Sequence, residues 1–123
     1  MPDAISPPPL QVACLCAQWC RTCDAYLETL RALKAALGDA PLQMHWIDIE
    51  DEAELVGDLD IENFPTLLLA RGPRVLFFGT VTPHAGTLER LVRGALDGSL
   101  HPAGAIPAEA VALAPRLARH VPL

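Results

Sequence analysis

The sequence predicts an α/β domain: a mixed β-sheet with helices on both faces, in the order β-α-β-α-β-β-α, followed by a C-terminal tail. Three observations carry that prediction. Short apolar runs alternate with stretches of helical spacing through the first half of the chain. Two later apolar runs are separated only by Arg71-Gly72-Pro73-Arg74, a turn that makes them a hairpin. A last amphipathic pattern follows the hairpin, so strands and helices alternate and then close on an antiparallel pair.

Each element has its own signal. Ser6-Pro7-Pro8-Pro9 is a stiff lead-in that cannot be helix interior. Leu10 to Leu15 is a short buried strand, with Val12 adding β character. From Cys20 the period changes: Tyr26, Leu30, Leu33 and Leu37 fall on one helical face, with Glu28, Arg31 and Lys34 between them. Gly38 stops that helix. Leu42 to Ile49 is a second strand, and a short acidic helix follows with Leu55, Val56 and Leu59 inward. Thr66 to Ala70 and Val75 to Phe78 are the hairpin strands. Thr87 is the expected N-cap of a helix buried through Leu88, Leu91, Val92, Ala95 and Leu96. Beyond it the chain is rich in Ala and Pro; Pro107, Ala108 and Glu109 can open one more helix that Pro115 should kink or end. These boundaries divide the chain into a lead-in over 1–9, a folded domain over 10–97 and an extension over 98–123.

Composition narrows the function. With 123 residues, about half of them apolar and a fifth charged, the chain suits one folded domain. A net charge of −6 and the lack of a basic stripe argue against nucleic acid as a partner. No stretch approaches the roughly 20 apolar residues of a membrane span, so no membrane partner is expected. The acidic, proline-rich start lacks the cationic and hydrophobic blocks of a secretory signal. Taking Met1 as the natural start, a cytoplasmic location is expected, where four cysteines point to redox or metal chemistry rather than structural bridges.

Trp19-Cys20-Arg21-Thr22-Cys23 holds two thiols one helical turn apart, where strand gives way to helix. At a helix start, unsatisfied backbone N–H groups stabilise a thiolate, the form that attacks disulfides. Further on lies Phe64-Pro65-Thr66, just before a run of leucines. Together, in this order and separation, the two segments resemble the thioredoxin family over roughly residues 10–97. The resemblance implies the thioredoxin-like fold, without the family's further N-terminal strand and helix. It implies that Cys20 attacks a substrate disulfide and that Cys23 resolves the mixed disulfide, closing a Cys20–Cys23 bridge. It further implies a cis Pro65, a substrate-docking edge at Phe64, Pro65 and Thr66, and a Trp19 that shields one side of the thiols. Arg21 and Thr22, between the cysteines, would also face the substrate.

The sequence departs from the family at the groups that handle protons. Arg21 and Thr22 replace a Gly-Pro pair; Arg21 adds positive charge beside Cys20, and Asp24 opposes it. The family's buried acid is matched by Cys14, and its accompanying lysine by Trp46. Cys14 and Cys16 lie two apart on a strand and share a face. They read as small buried hydrophobes, with a second redox pair or a four-thiolate metal site with Cys20 and Cys23 as alternatives. His45 is expected at an edge or in the core, His84 in a solvated loop before the last helix, and His101 and His120 without ligand spacing. The acidic run Asp48-Ile49-Glu50-Asp51-Glu52 is read as structural.

The expected function is therefore a thiol–disulfide oxidoreductase with catalytic Cys20 and Cys23 and neither cofactor nor metal. Its partners would be a disulfide-containing protein or small molecule and a separate reductant or oxidant. The alternative is a thioredoxin-fold binding or adaptor module with weak or no redox activity.

Overall fold

Leu10–Cys16 forms β1, the strand around which the molecule is built. The structure, a computed structural model, describes residues 8–17, 19–100 and 105–123. The lead-in before Pro8, and His101, lie outside the described residues. After β1 come α1 (Arg21–Leu37), β2 (Leu42–Asp48), α2 (Ala53–Val56), β3 (Thr66–Arg71), β4 (Arg74–Thr80), α3 (Ala85–Asp97) and α4 (Ala108–Arg116). A 3-10 turn over Leu117–Arg119 follows α4.

The sheet order is β2-β1-β3-β4. β1 runs parallel to β2 and antiparallel to β3, and β3 pairs antiparallel with β4, so the sheet is mixed as expected. Its central position explains why β1 is apolar almost throughout: both faces are covered. The side chains divide by the strand period of two. Val12, Cys14 and Cys16 enter one core with Tyr26, Leu30 and Leu33 of α1 and Leu88, Val92 and Ala95 of α3. Ala13 and Leu15 enter the other, with Ile47, Val56 and Leu68 and with Ala110, Leu113, Ala114 and Leu117 from the C-terminal segment. The helix that Pro107 opens is thus the cover of the sheet's second face. Pro115 falls in its last turn, and the chain passes into the 3-10 turn at Leu117.

Local chemistry sets the element ends. Gly38, at φ 55°, closes α1 with its N–H on the Lys34 carbonyl at 3.2 Å. Gly72, at φ +59°, provides the left-handed residue of the β3–β4 turn. One expectation needs correction: α3 begins at Ala85, capped by His84, and Thr87 lies inside its first turn. The His84 carbonyl accepts from the N–H groups of Thr87 and Leu88 at 3.1 and 3.3 Å, which starts the helix earlier. The Thr87 hydroxyl instead lies 3.3 Å from that of Thr82. Among the described residues, no helix is long and apolar enough to cross a membrane.

Candidate active site

Between the end of β1 and the start of α1, the Cys20 N–H donates to the Ala17 carbonyl at 3.0 Å. Cys20 is the N-cap of α1, with extended backbone; its carbonyl accepts from the N–H groups of Cys23 and Asp24 at 3.1 and 3.3 Å. Its side chain makes no cap hydrogen bond and remains a half-buried free thiol. Arg21 and Thr22 point to solvent. Cys23, one turn in, faces the sheet and is fully buried.

There the structure departs from expectation. Cys23 is bridged to Cys16, and Cys20 is free. The sequence reading separated two strand thiols from two thiols at a helix tip. The separation fails because β1 ends at Cys16, where the inward face of α1's first turn lands: the two Cα atoms are 5.8 Å apart. The Sγ of Cys14 lies a further step along the same face, 3.2 Å from that of Cys16. Cys14, Cys16 and Cys23 belong to one buried cluster, and Cys20 packs against its edge. Cys14 and Cys16 are buried as expected, but Cys16 is not an inert core residue. Only the three-dimensional landing point of α1 reveals this, and the sequence carries no signal for it.

Burial pushes the Cys14 thiol well above its ordinary range, and the charge of Cys20 adds to the effect. Cys14 therefore stays protonated and cannot stand in for a carboxylate. Tyr26 is raised as well, by burial and then by Cys14, and its hydroxyl has no hydrogen-bond partner among the described residues. Trp46 pairs in register with Cys14, and its indole N–H donates to the Cys23 carbonyl at 3.3 Å. The two positions that depart from the family thus flank the thiol pair. Asp48 pairs in register with Cys16; one carboxylate oxygen accepts from the N–H groups of Glu50 and Asp51 at 2.8 and 3.1 Å. That gives the acidic run a structural role at the turn, while the other oxygen of Asp48 is buried without a partner among the described residues.

Trp19 is 69% exposed, and its ring meets Phe64 edge-on at 5.5 Å between centroids. Its indole N–H donates to Glu50 at 3.1 Å, which ties the ring to the turn after β2. The Phe64–Pro65 peptide bond is cis. Thr66 is buried and paired on both sides, with Leu15 of β1 and Thr80 of β4. Its hydroxyl donates to the Asn63 carbonyl at 2.7 Å, and the Pro65 carbonyl accepts from Val81 at 3.1 Å. Of the expected docking edge, Phe64 is the residue that reaches Trp19. His84 is exposed at the start of α3, whereas His45 and His120 are brought together elsewhere. Among the described residues, no group of three or more His, Cys, Asp or Glu side chains is arranged to hold a metal ion.

The thioredoxin family model matches residues 7–85. The solved structure of the germline-specific thioredoxin Deadhead from Drosophila melanogaster is similar, with TM-score 0.61 and 21% identity over 70% of this chain and 80% of that one. Thioredoxin from Trypanosoma brucei brucei superposes with TM-score 0.62 at 20% identity, over 78% of this chain and 82% of its own. For Fasciola hepatica thioredoxin the values are 0.60 and 16%, over 70% and 80%. No curated protein matches the sequence. The family match covers more than half of the chain and includes the whole segment from β1 through β4, with the cysteines at the start of α1 inside it. This chain belongs to the thioredoxin family.

Proposed function

We propose that the protein is a thiol–disulfide oxidoreductase in which Cys20 attacks and Cys23 resolves. The observation that carries this reading is the position of Cys20. It is a free thiol at the N-cap of a 17-residue helix, while Cys14, Cys16 and Cys23 are all fully buried. Of the four thiols it is the one that a substrate disulfide can reach from solvent. A substrate disulfide meeting Cys20 exchanges one sulfur for it, releasing a substrate thiolate and leaving a mixed disulfide. Cys23, one turn on, then attacks the Cys20 sulfur, which frees the second substrate thiol and closes Cys20–Cys23. The bridge from Cys23 to Cys16 must open before that second step, and a separate reductant must reopen Cys20–Cys23 for the next cycle. Trp19 and Phe64 form the apolar wall beside the substrate, which can be a protein or a small molecule.

The test is turnover of a self-quenched fluorescent glutathione disulfide with dithiothreitol as reductant. Wild type should accelerate cleavage, and Cys20→Ser should fall to the uncatalysed rate. Cys23→Ser should retain the attack and accumulate as a mixed disulfide visible by intact mass. A Cys20→Ser chain as active as wild type would end the reading and favour a binding module on this fold.

A further inference from the structure

Two observations are not used by that mechanism: the pairing of Cys16 with Cys23, and a Cys14 sulfur 3.2 Å from Cys16. We propose that Cys16 is a third redox-active thiol, which withdraws Cys23 from the Cys20–Cys23 couple by internal disulfide exchange and leaves Cys20 as a single thiol facing substrate. The proposal rests on the oxidoreductase reading and adds a state to it.

The backbone is already set for this exchange. A Cα separation of 5.8 Å lies inside the range of about 4.4–6.8 Å that disulfides span. Cys16 is held by its ladder to β2 and by its carbonyl, which accepts from Ile49 at 2.9 Å. Cys23 is held from the other side, by the first-turn bond to Cys20 and the Trp46 indole. Switching between partners therefore needs rotation of side chains rather than movement of chain. Cys23 stands between two thiols, one at the surface and one in the sheet.

The step balances without an outside oxidant. Starting from the Cys20–Cys23 bridge, the Cys16 thiolate attacks the Cys23 sulfur. The Cys16–Cys23 bond forms, the Cys20–Cys23 bond breaks, and Cys20 leaves as a thiolate. The proton that Cys16 gives up is regained at Cys20 from solvent, so the reaction is an isomerisation of one disulfide. Cys14 adds a partner at the far end. Burial keeps it a thiol, and a thiol 3.2 Å from Cys16 can donate its S–H to the Cys16 sulfur when the bridge reopens.

The two oxidised forms behave differently. With Cys20–Cys23 closed, the surface has no attacking thiol. With Cys16–Cys23 closed, the oxidation is stored in the core and Cys20 can still be modified. A mixed disulfide formed then persists, because Cys23 cannot resolve it until the inner bridge is reduced.

The experiment is disulfide mapping on the full chain. The reduced protein is oxidised briefly with diamide, freed of oxidant, and sampled over time by acid quench and alkylation with N-ethylmaleimide under denaturing conditions. Trypsin cuts after Arg21, so either bridge joins the same two peptides, and fragment ions must locate the alkylated thiols. The expected result is alkylation of Cys14 and Cys20, with the Cys20 label rising after the oxidant is gone while the number of bridges stays constant. In Cys16→Ala, Cys20 should instead be protected in the oxidised chain. Cys20→Ser should still form the inner bridge. Wild type that carries only Cys20–Cys23, with Cys14 and Cys16 alkylated at every time, overturns this proposal and leaves the oxidoreductase reading standing. Absence of any bridge in wild type and in Cys20→Ser removes both.

Discussion

The Nδ1 atoms of His45 and His120 lie 2.7 Å apart, which joins β2 to the residue just past the C-terminal 3-10 turn. The Nε2 of His45 is in contact with the Gln11 side-chain oxygen, which can only accept, so that nitrogen carries the hydrogen. Nδ1 of His45 is then the acceptor, and His120 donates to it. On its other side His120 faces Glu52, with Nε2 3.3 Å from the carboxylate. A fully buried imidazole thus serves as the docking point for the end of the chain, and it does so in its neutral form.

That requirement gives the stability a pH dependence. Burial, and then the neighbouring His120, pushes His45 from 6.5 down to about 4. Below about 6.5 the unfolded chain binds a proton that the folded chain refuses, so stability is complete above that pH and is lost as pH falls towards about 4. The loss should be on the order of 2–3 kcal/mol. Urea denaturation across this range should show wild type losing that much more than His45→Gln. Parallel curves for the two proteins would rule the assignment out.

The C-terminal cover should matter as much as any helix of the core. Leu113 is fully buried against the second face of the sheet. Leu113→Ala should cost about 2–5 kcal/mol, as buried leucine truncations do. Val111, on the same helix but 44% exposed, is its control; Val111→Ala should stay within about 0.5 kcal/mol. Paired urea curves decide the point, and equal small effects would mean that α4 does not seal the core.

The thiols should separate by accessibility. In the reduced native chain, iodoacetamide should label Cys20 first, because it is half-buried whereas the other three cysteines are fully buried. Cys14 should resist until the chain unfolds, because it is fully buried and its thiol is held protonated. A time course read by peptide mass checks this, and labelling of Cys14 at the rate of Cys20 would contradict it.

Trp19 offers a substitution that should affect function without affecting the fold. Its ring is 69% exposed and touches Phe64 edge-on. Trp19→Ala should leave stability within about 1 kcal/mol while lowering kcat/KM for disulfide cleavage, mainly through KM. An unchanged kcat/KM would remove Trp19 from the substrate wall.

Periodicity made the element order legible, because each strand and helix buries a face whose spacing can be counted. Cys23, Tyr26, Leu30 and Leu33 line the inner side of α1 just as that spacing requires. What spacing could not convey was where one element ends against another. Cys16 and Cys23 are seven residues apart, a number that says nothing about the landing of α1 on the end of β1. His45 and His120, seventy-five residues apart, meet only because the C-terminal segment folds back over the sheet. The start of α3 was misplaced for a local reason: a threonine side chain is a good cap, but the His84 backbone provides the start.

The family match stops at residue 85, yet Leu15, Ile47 and Leu68 are covered by residues from 110 to 117. A fragment trimmed to the match would present a greasy sheet face to water and, by the same apolar contacts, to its neighbours. Such a fragment should precipitate or pair rather than persist as a single soluble unit. The stretch that heredity marks and the stretch that water will tolerate alone are different lengths, and the difference is two helices, α3 over one face of the sheet and α4 over the other.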